Sequence, residues 1–278
     1  MLLVEAYILL DGMNFLLKHS EKLCLILDRV VGQVRPRGAS YIMLVFEALL
    51  QKCPTEGGYI LSHGGITQRI LINCAKNFFS LRECEEDQII IYYLTTCARM
   101  LIASPELFDQ YFPLQYDMNN SNKIFRQNDL ISLYFKKIDS VSQILWKKVW
   151  VMLFISLLPP TASSLSQILV QNMDQVLNLS IDYVYDEQHH AEKPFEPAQN
   201  ASDQYDIAPE VKSEHYELKL RENTKQDDIY KMSFRNLLKM KMESFSVFNN
   251  GIMYKQAIES VEPLFLRQLE DILNAQQY

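Results

Sequence analysis

The chain has 278 residues, 48% of them hydrophobic, with 14 Phe, 15 Tyr and 11 Met and a formal net charge of −7. That length exceeds what one core usually serves, and 8 Gly are too few for the tight turns of a sandwich or barrel. The acidic balance excludes a general nucleic-acid binder, which needs a basic surface to displace counterions.

Taken in chain order, apolar residues recur at helical spacing over 5–18, 21–34, 39–52, 66–79, 86–103, 124–137, 141–158 and 164–185. Between them nothing alternates for long enough to read as a sheet. The apolar faces are broad: Ile42, Val45, Phe46 and Leu49 form one stripe, and Met43, Leu44 and Leu50 widen it. Helices of this kind need cover on more than one side, as in a stack where each touches its partner and the next pair. The breaks carry helix-end chemistry. Gly32 and Arg35-Pro36-Arg37-Gly38 stop the second helix, and Gly57-Gly58 with Gly64-Gly65 bracket a turn. Ser104-Pro105-Glu106 reads as a cap, a first-turn proline and a first-turn acid opening a short helix to Phe112. Pro159-Pro160 ends the seventh helix. Short loops imply antiparallel neighbours, and helix starts near 5, 39, 87 and 141 recur at or above the roughly 40 to 47 residues of a two-helix repeat. The sequence thus predicts an all-α solenoid of HEAT-like helix pairs over residues 1–185.

At 186 the pattern stops. Residues 186–216 carry eight acids and two lysines, so −6 of the net −7 resides there, together with Pro194, Pro197 and Pro209. This predicts an acidic flexible loop or linker over 186–226. Helices at 228–248 and 252–274 follow, divided by Asn249-Asn250-Gly251, with Pro263 placed to kink the second. Ile258, Val261, Phe265, Leu269 and Ile272 give that last helix a continuous apolar face, which suits residues 227–278 to capping the array by docking on the helix that ends near Tyr185.

Five cysteines without a C-x-x-C spacing suggest neither a disulfide framework nor a zinc site, and fit a reducing compartment. The first residues lack the basic n-region of a signal peptide. The longest apolar run, 149–158, is half of what a bilayer requires. These features predict a cytosolic or nuclear protein with no membrane partner.

Searching for chemistry yields no nucleophile, base and orienting group together, and hence no catalytic residue, cofactor site or metal site. Ser62-His63-Gly64-Gly65 resembles a glycine-rich oxyanion loop but lacks the G-x-S-x-G elbow, so it reads as a helix break. His189-His190 beside Asp186 and Glu187 reads as part of a solvated loop. Trp146 and Trp150, four apart, read as one core edge, with an exposed aromatic hot spot as the alternative. Met240 and Met242 read as amphipathic filling rather than a binding groove. Glu83, Glu85, Glu86 and Asp87 precede a helix and complement its positive end. Alternatively, since four carboxylates exceed what a cap requires, they form an acidic patch that meets a basic partner.

Leu9-Leu10-Asp11-Gly12, Ser104-Pro105-Glu106-Leu107-Phe108, Ser156-Leu157-Leu158-Pro159, the acidic loop, Ser233-Phe234 through Leu237-Leu238-Lys239, Val261-Glu262 and the stretch from Leu266 to Leu269 occur in one order along the chain. Together they resemble the C-terminal part of an importin-beta family transport receptor, or karyopherin, of the importin-eleven type. The resemblance implies a right-handed HEAT, or armadillo-like, superhelix that binds protein cargo for import through the nuclear pore. It also implies nucleoporin contacts, regulation by Ran-GTP through upstream repeats absent from this chain, and shuttling between cytoplasm and nucleus across the nuclear envelope. The alternative is a helical-repeat scaffold or adaptor without a transport role.

Overall fold

A computed structural model describes residues 1–80, 87–118, 121–159, 164–191 and 214–274. The chain opens with α1 (Leu2–Val30), α2 (Pro36–Lys52), α3 (Pro54–His63), α4 (Ile66–Phe79) and α5 (Asp87–Ala103). A 3-10 helix, Pro105–Tyr111, leads to a hairpin of β1 (Leu114–Met118) and β2 (Ser121–Phe125), then α6 (Gln127–Lys137). There follow α7 (Ile144–Ser156), α8 (Ser164–Gln171), α9 (Met173–Ala191), α10 (Glu214–Gln226) and α11 (Asp228–Lys231). The last helices are α12 (Phe234–Val247), α13 (Ile252–Glu259) and α14 (Pro263–Asn274). The fold is an all-α array of helical repeats. The chain divides into two compact units, Met1–Leu133 with Glu196–Lys231, and Tyr134–Phe195 with Met232–Tyr278.

In the first unit α5 is the axis. Every residue from Ile89 to Leu101 is buried, because α2, α3 and α4 all pack against this helix. An all-round apolar sequence can be satisfied only in that way, each fully buried Ile or Leu contributing about 1.5–3 kcal/mol over its exposed state. α1 packs along α2 and touches α3 and α4. Its backbone breaks at Asp11 (φ −153, ψ 82), where the sequence predicted a continuous helix from 5 to 18 and a break only near residue 20. The Asp11 carboxylate accepts from the Asn14 backbone N–H at 3.3 Å and from Asn14 Nδ2 at 2.7 Å, so it caps the longer segment behind it.

The stretch bracketed by Gly57-Gly58 and Gly64-Gly65, expected as a turn, is helical as far as His63, within a helix that starts at Pro54. Gly57 and Gly58 are buried there, and a Cβ at Gly57 would come within 2.9 Å of Leu49 Cγ. The glycine lets α3 lie close to α2 rather than ending the helix. The true break falls at Gly65, whose φ of 75 is the left-handed conformation glycine adopts freely. The hairpin is a further departure from the expected pattern. Leu114 pairs with Phe125 and Gln115 with Ile124 in an antiparallel register, and Leu114 and Phe125 are buried. Leu114, Tyr116 and Met118 do alternate with Gln115 and Asp117, but over five residues that period is too short to stand out.

In the second unit α7 plays the part of α5. Trp146, Val149, Trp150, Leu153 and Phe154 are all buried, with Tyr134 edge-on to Trp150 at 5.0 Å between ring centroids. α9 and α12 flank α7, and α14 lies on α9. Leu269 and Ile272 are buried in that packing. Pro263 does not kink one long helix but starts a separate one, since its ring cannot continue α13 and its fixed φ suits a first turn. The stretch expected as a loop over 186–226 is helical at both ends: α9 runs on to Ala191, and α10 occupies Glu214–Gln226.

Candidate functional site

The acidic patch read from sequence meets the structure at one residue. Asp87 opens α5 as a first-turn carboxylate, while Glu83, Glu85 and Glu86 lie outside the described residues. The same holds for the middle of the acidic segment, from 192 to 213. Its described beginning is built into α9: Asp186 pairs with Lys147 at 3.1 Å, and Glu187 accepts from the Tyr183 hydroxyl at 3.0 Å. His189 and His190 belong to that helix.

The other candidates resolve into packing. Trp146 and Trp150 are core residues, so the exposed-hot-spot alternative falls away. Met242 is buried and Met240 faces solvent, with Lys241 between them donating to the Ser156 and Leu158 carbonyls at 2.7 and 2.8 Å. That lysine satisfies carbonyls left open at the end of α7. Ser62 is buried and hydrogen bonded to Tyr111 and Gln110, and His63 stacks on Tyr59 at 3.7 Å; neither belongs to an oxyanion loop. Cys24, Cys53, Cys74 and Cys97 are free thiols. Burial pushes the Cys74 thiol up to about 12, which keeps it protonated and inert. Among the described residues no group of three or more His, Cys, Asp or Glu could hold a metal ion, and no helix is long and apolar enough to cross a membrane.

What the fold brings together instead is a buried charge cluster in the first unit. Arg99, on α5, donates from Nε to Glu47 Oε1 at 3.1 Å, and its Nη2 lies 3.0 Å from Glu47 Oε2 as an ion-pair contact. Its Nη1 lies 2.9 Å from Asp227 Oδ2, at the turn between α10 and α11. Burial alone would lower the guanidinium's pKa, but Glu47 and Asp227 outweigh it and push the pKa up, so Arg99 stays charged. Burial pushes the Glu47 carboxyl up, Arg99 opposing and Asp227 adding to the shift. Gln51 Nε2 donates to Glu47 Oε2 at 3.0 Å, and Asn223 Nδ2 donates to Gln51 Oε1. Asp227 Oδ1 in turn accepts from the Ile229 backbone N–H at 3.0 Å, fixing the turn that presents it.

Sequence reading missed this cluster. A signal did exist in half of it: Glu47 stands alone among Ile42 to Leu50, and Arg99 alone among Ile89 to Leu101, and lone opposite charges in two such runs imply a mutual partner. Asp227 is one acid among many near it and carries no comparable mark.

The first unit also presents apolar side chains to solvent along α1. Leu3, Leu10 and Leu17, seven apart, are 71%, 70% and 78% exposed, with Tyr7 and Met13 beside them. In the second unit Met240, Val247, Ile252 and Leu264 are exposed. Surfaces of this kind suit apolar contacts with other proteins.

Compared with known proteins, residues 1–274 match the family model described as importin-11-like, TPR repeats. A TPR unit, like the helix pair read from the sequence, is a helix–turn–helix. No curated protein and no solved structure matches the chain.

Proposed function

The chain belongs to the importin-11-like TPR-repeat family, and from that membership we propose that it is the cargo-handling helical array of a nuclear import receptor. The family is one of transport receptors rather than of enzymes. In this reading the array binds protein cargo through its surface and carries it through the nuclear pore. Ran-GTP regulates the cycle, nucleoporin peptides provide passage, and the protein shuttles between cytoplasm and nucleus. The observation that carries the reading is the family match across 1–274. The solvent-facing apolar side chains of α1 and of α12 to α14 support it, because nucleoporin repeats would be met by apolar surface.

The carboxylates Glu83, Glu85, Glu86 and Asp87 are our candidate contact for basic cargo, attracting it at long range. The test is accumulation of the fluorescently labelled chain at the nuclear rim of permeabilised cells, together with binding to an immobilised synthetic Phe-Gly repeat peptide. Rim accumulation and micromolar peptide binding are expected. Absence of both would leave the scaffold or adaptor reading in its place.

A further inference from the structure

Residues 196–231 belong to the first unit although the chain on either side of them belongs to the second. The described part of that return is α10 and α11, with α10 laid against α2 and α1. From Leu218 onward, Leu220, Asn223 and Asp227 are the buried residues of this stretch. Their spacing of three and then four puts them on one helical face. Two of the three are polar. Asn223 is bonded to Gln51 and Asp227 to Arg99, and next to them Gln226 accepts from Lys52 Nζ at 3.1 Å. Outward, Glu222 and Lys225 face solvent and Leu218 is 51% exposed. Among the described side chains, from 218 onward, the helix is thus held by hydrogen bonds and an ion pair rather than by broad apolar burial.

The surface beneath keeps its charge balance without that helix. Taking one partner from a buried ion pair normally strands the other charge. Here Glu47 holds Arg99 by one hydrogen bond and one further ion-pair contact, and that pair is neutral by itself. Departure of Asp227 would leave Nη1 of Arg99 as a directed donor, with the Gln51 amide and the Lys52 ammonium alongside it. Those groups stand on α2 and α5, whose packing against α3 and α4 does not involve α10.

We propose that α10 and α11 are an internal ligand seated in a helix-binding site, and that an external helix carrying Leu, Asn and Asp at the same spacing occupies this site by displacing them. Recognition is of the helix-in-groove kind, with a carboxylate on Arg99, an amide on Gln51 and one apolar anchor.

Two measurements on the full chain test this. In hydrogen exchange of the unaltered protein, amides of 214–227 should exchange about ten-fold or more faster than those of α5, because the latch opens without global unfolding. A fluorescein-labelled synthetic peptide of residues 214–231 should bind the variant Asn223→Ala with Asp227→Ala. It should bind the unaltered chain about ten-fold or more weakly, since there the tethered copy competes at a high effective concentration. The peptide bearing Asp227→Ala should bind neither. Exchange of 214–227 at the rate of α5 would overturn the proposal. So would loss of α5 protection in the double variant, a peptide that ignores a double variant with α5 intact, or equal binding to both chains.

Discussion

α10 and α14 are each laid onto earlier parts of the chain, by opposite means. α14 sits on α9 through an apolar face, with Leu269 and Ile272 buried. α10 sits on α2 through Asn223 and the neighbouring Asp227, with Leu220 as its one buried apolar anchor among the described side chains. Apolar burial is non-directional and scales with area, so α14 is located by the size and shape of its stripe. Polar anchors contribute little net energy each but fix geometry, and they penalise misplacement because a buried unpaired group costs more than a made bond returns. The first unit therefore holds a specifically placed but shallowly bound helix, and the second a deeply bound one.

The comparison is sharpest at Arg99. Arg99→Ala would leave Glu47 and Asp227 buried without their cation, and should cost about 3–5 kcal/mol in urea unfolding. A loss under 1 kcal/mol would show that the cluster does not hold the first unit together. Leu269→Ala opens a cavity between α14 and α9 and should cost about 2–4 kcal/mol. An unchanged midpoint would mean that α14 is not bound by its apolar face. Asp227→Ala should cost less than either, about 1–2 kcal/mol, because the neutral Arg99–Glu47 pair survives it. If it costs as much as Arg99→Ala, α10 is as deeply fastened as α14 and the contrast between them fails.

Two smaller effects remain. Ser233 caps α12 by accepting from the Asn236 backbone N–H at 3.4 Å, and Ser233→Ala should lower stability by about 1 kcal/mol or less in thermal unfolding. Cys74 concerns pH. Its folded-state pKa, about 12, lies above the ordinary 9.0, so folding favours the neutral thiol. The resulting stabilisation is complete below pH 9 and is lost as pH rises towards 12. At pH 8, iodoacetamide should leave Cys74 unmodified until the protein is unfolded, and mass spectrometry of the native protein showing an alkylated Cys74 would contradict its burial.

Much of the array was legible in the sequence because a helix facing neighbours on several sides must be apolar on several sides. α4 and α5 follow directly from that pattern, and Leu269 and Ile272, the buried residues of α14, lay in the stripe read over 258–272, although the structure divides that stripe between two helices. The misreadings have local causes. Gly57-Gly58 carries a turn signal, yet a buried helix uses glycine for close approach to Leu49. Asp11 stops one helical segment and caps the next, which no apolar period reveals. α10 lacks an apolar face of its own in sequence, so its place depends on partners 170 or more residues away, Gln51 and Lys52 among them.

By itself the sequence determined the all-α repeat architecture and the family, since both rest on periods and ordered motifs that survive without coordinates. It also placed the acidic stretch, because charge needs no partner to be counted. Only the tertiary structure decided that Glu47, Arg99 and Asp227 share one buried site. Three charges on three separate segments are dictated by the geometry of packing, and sequence carries that geometry only through the fold.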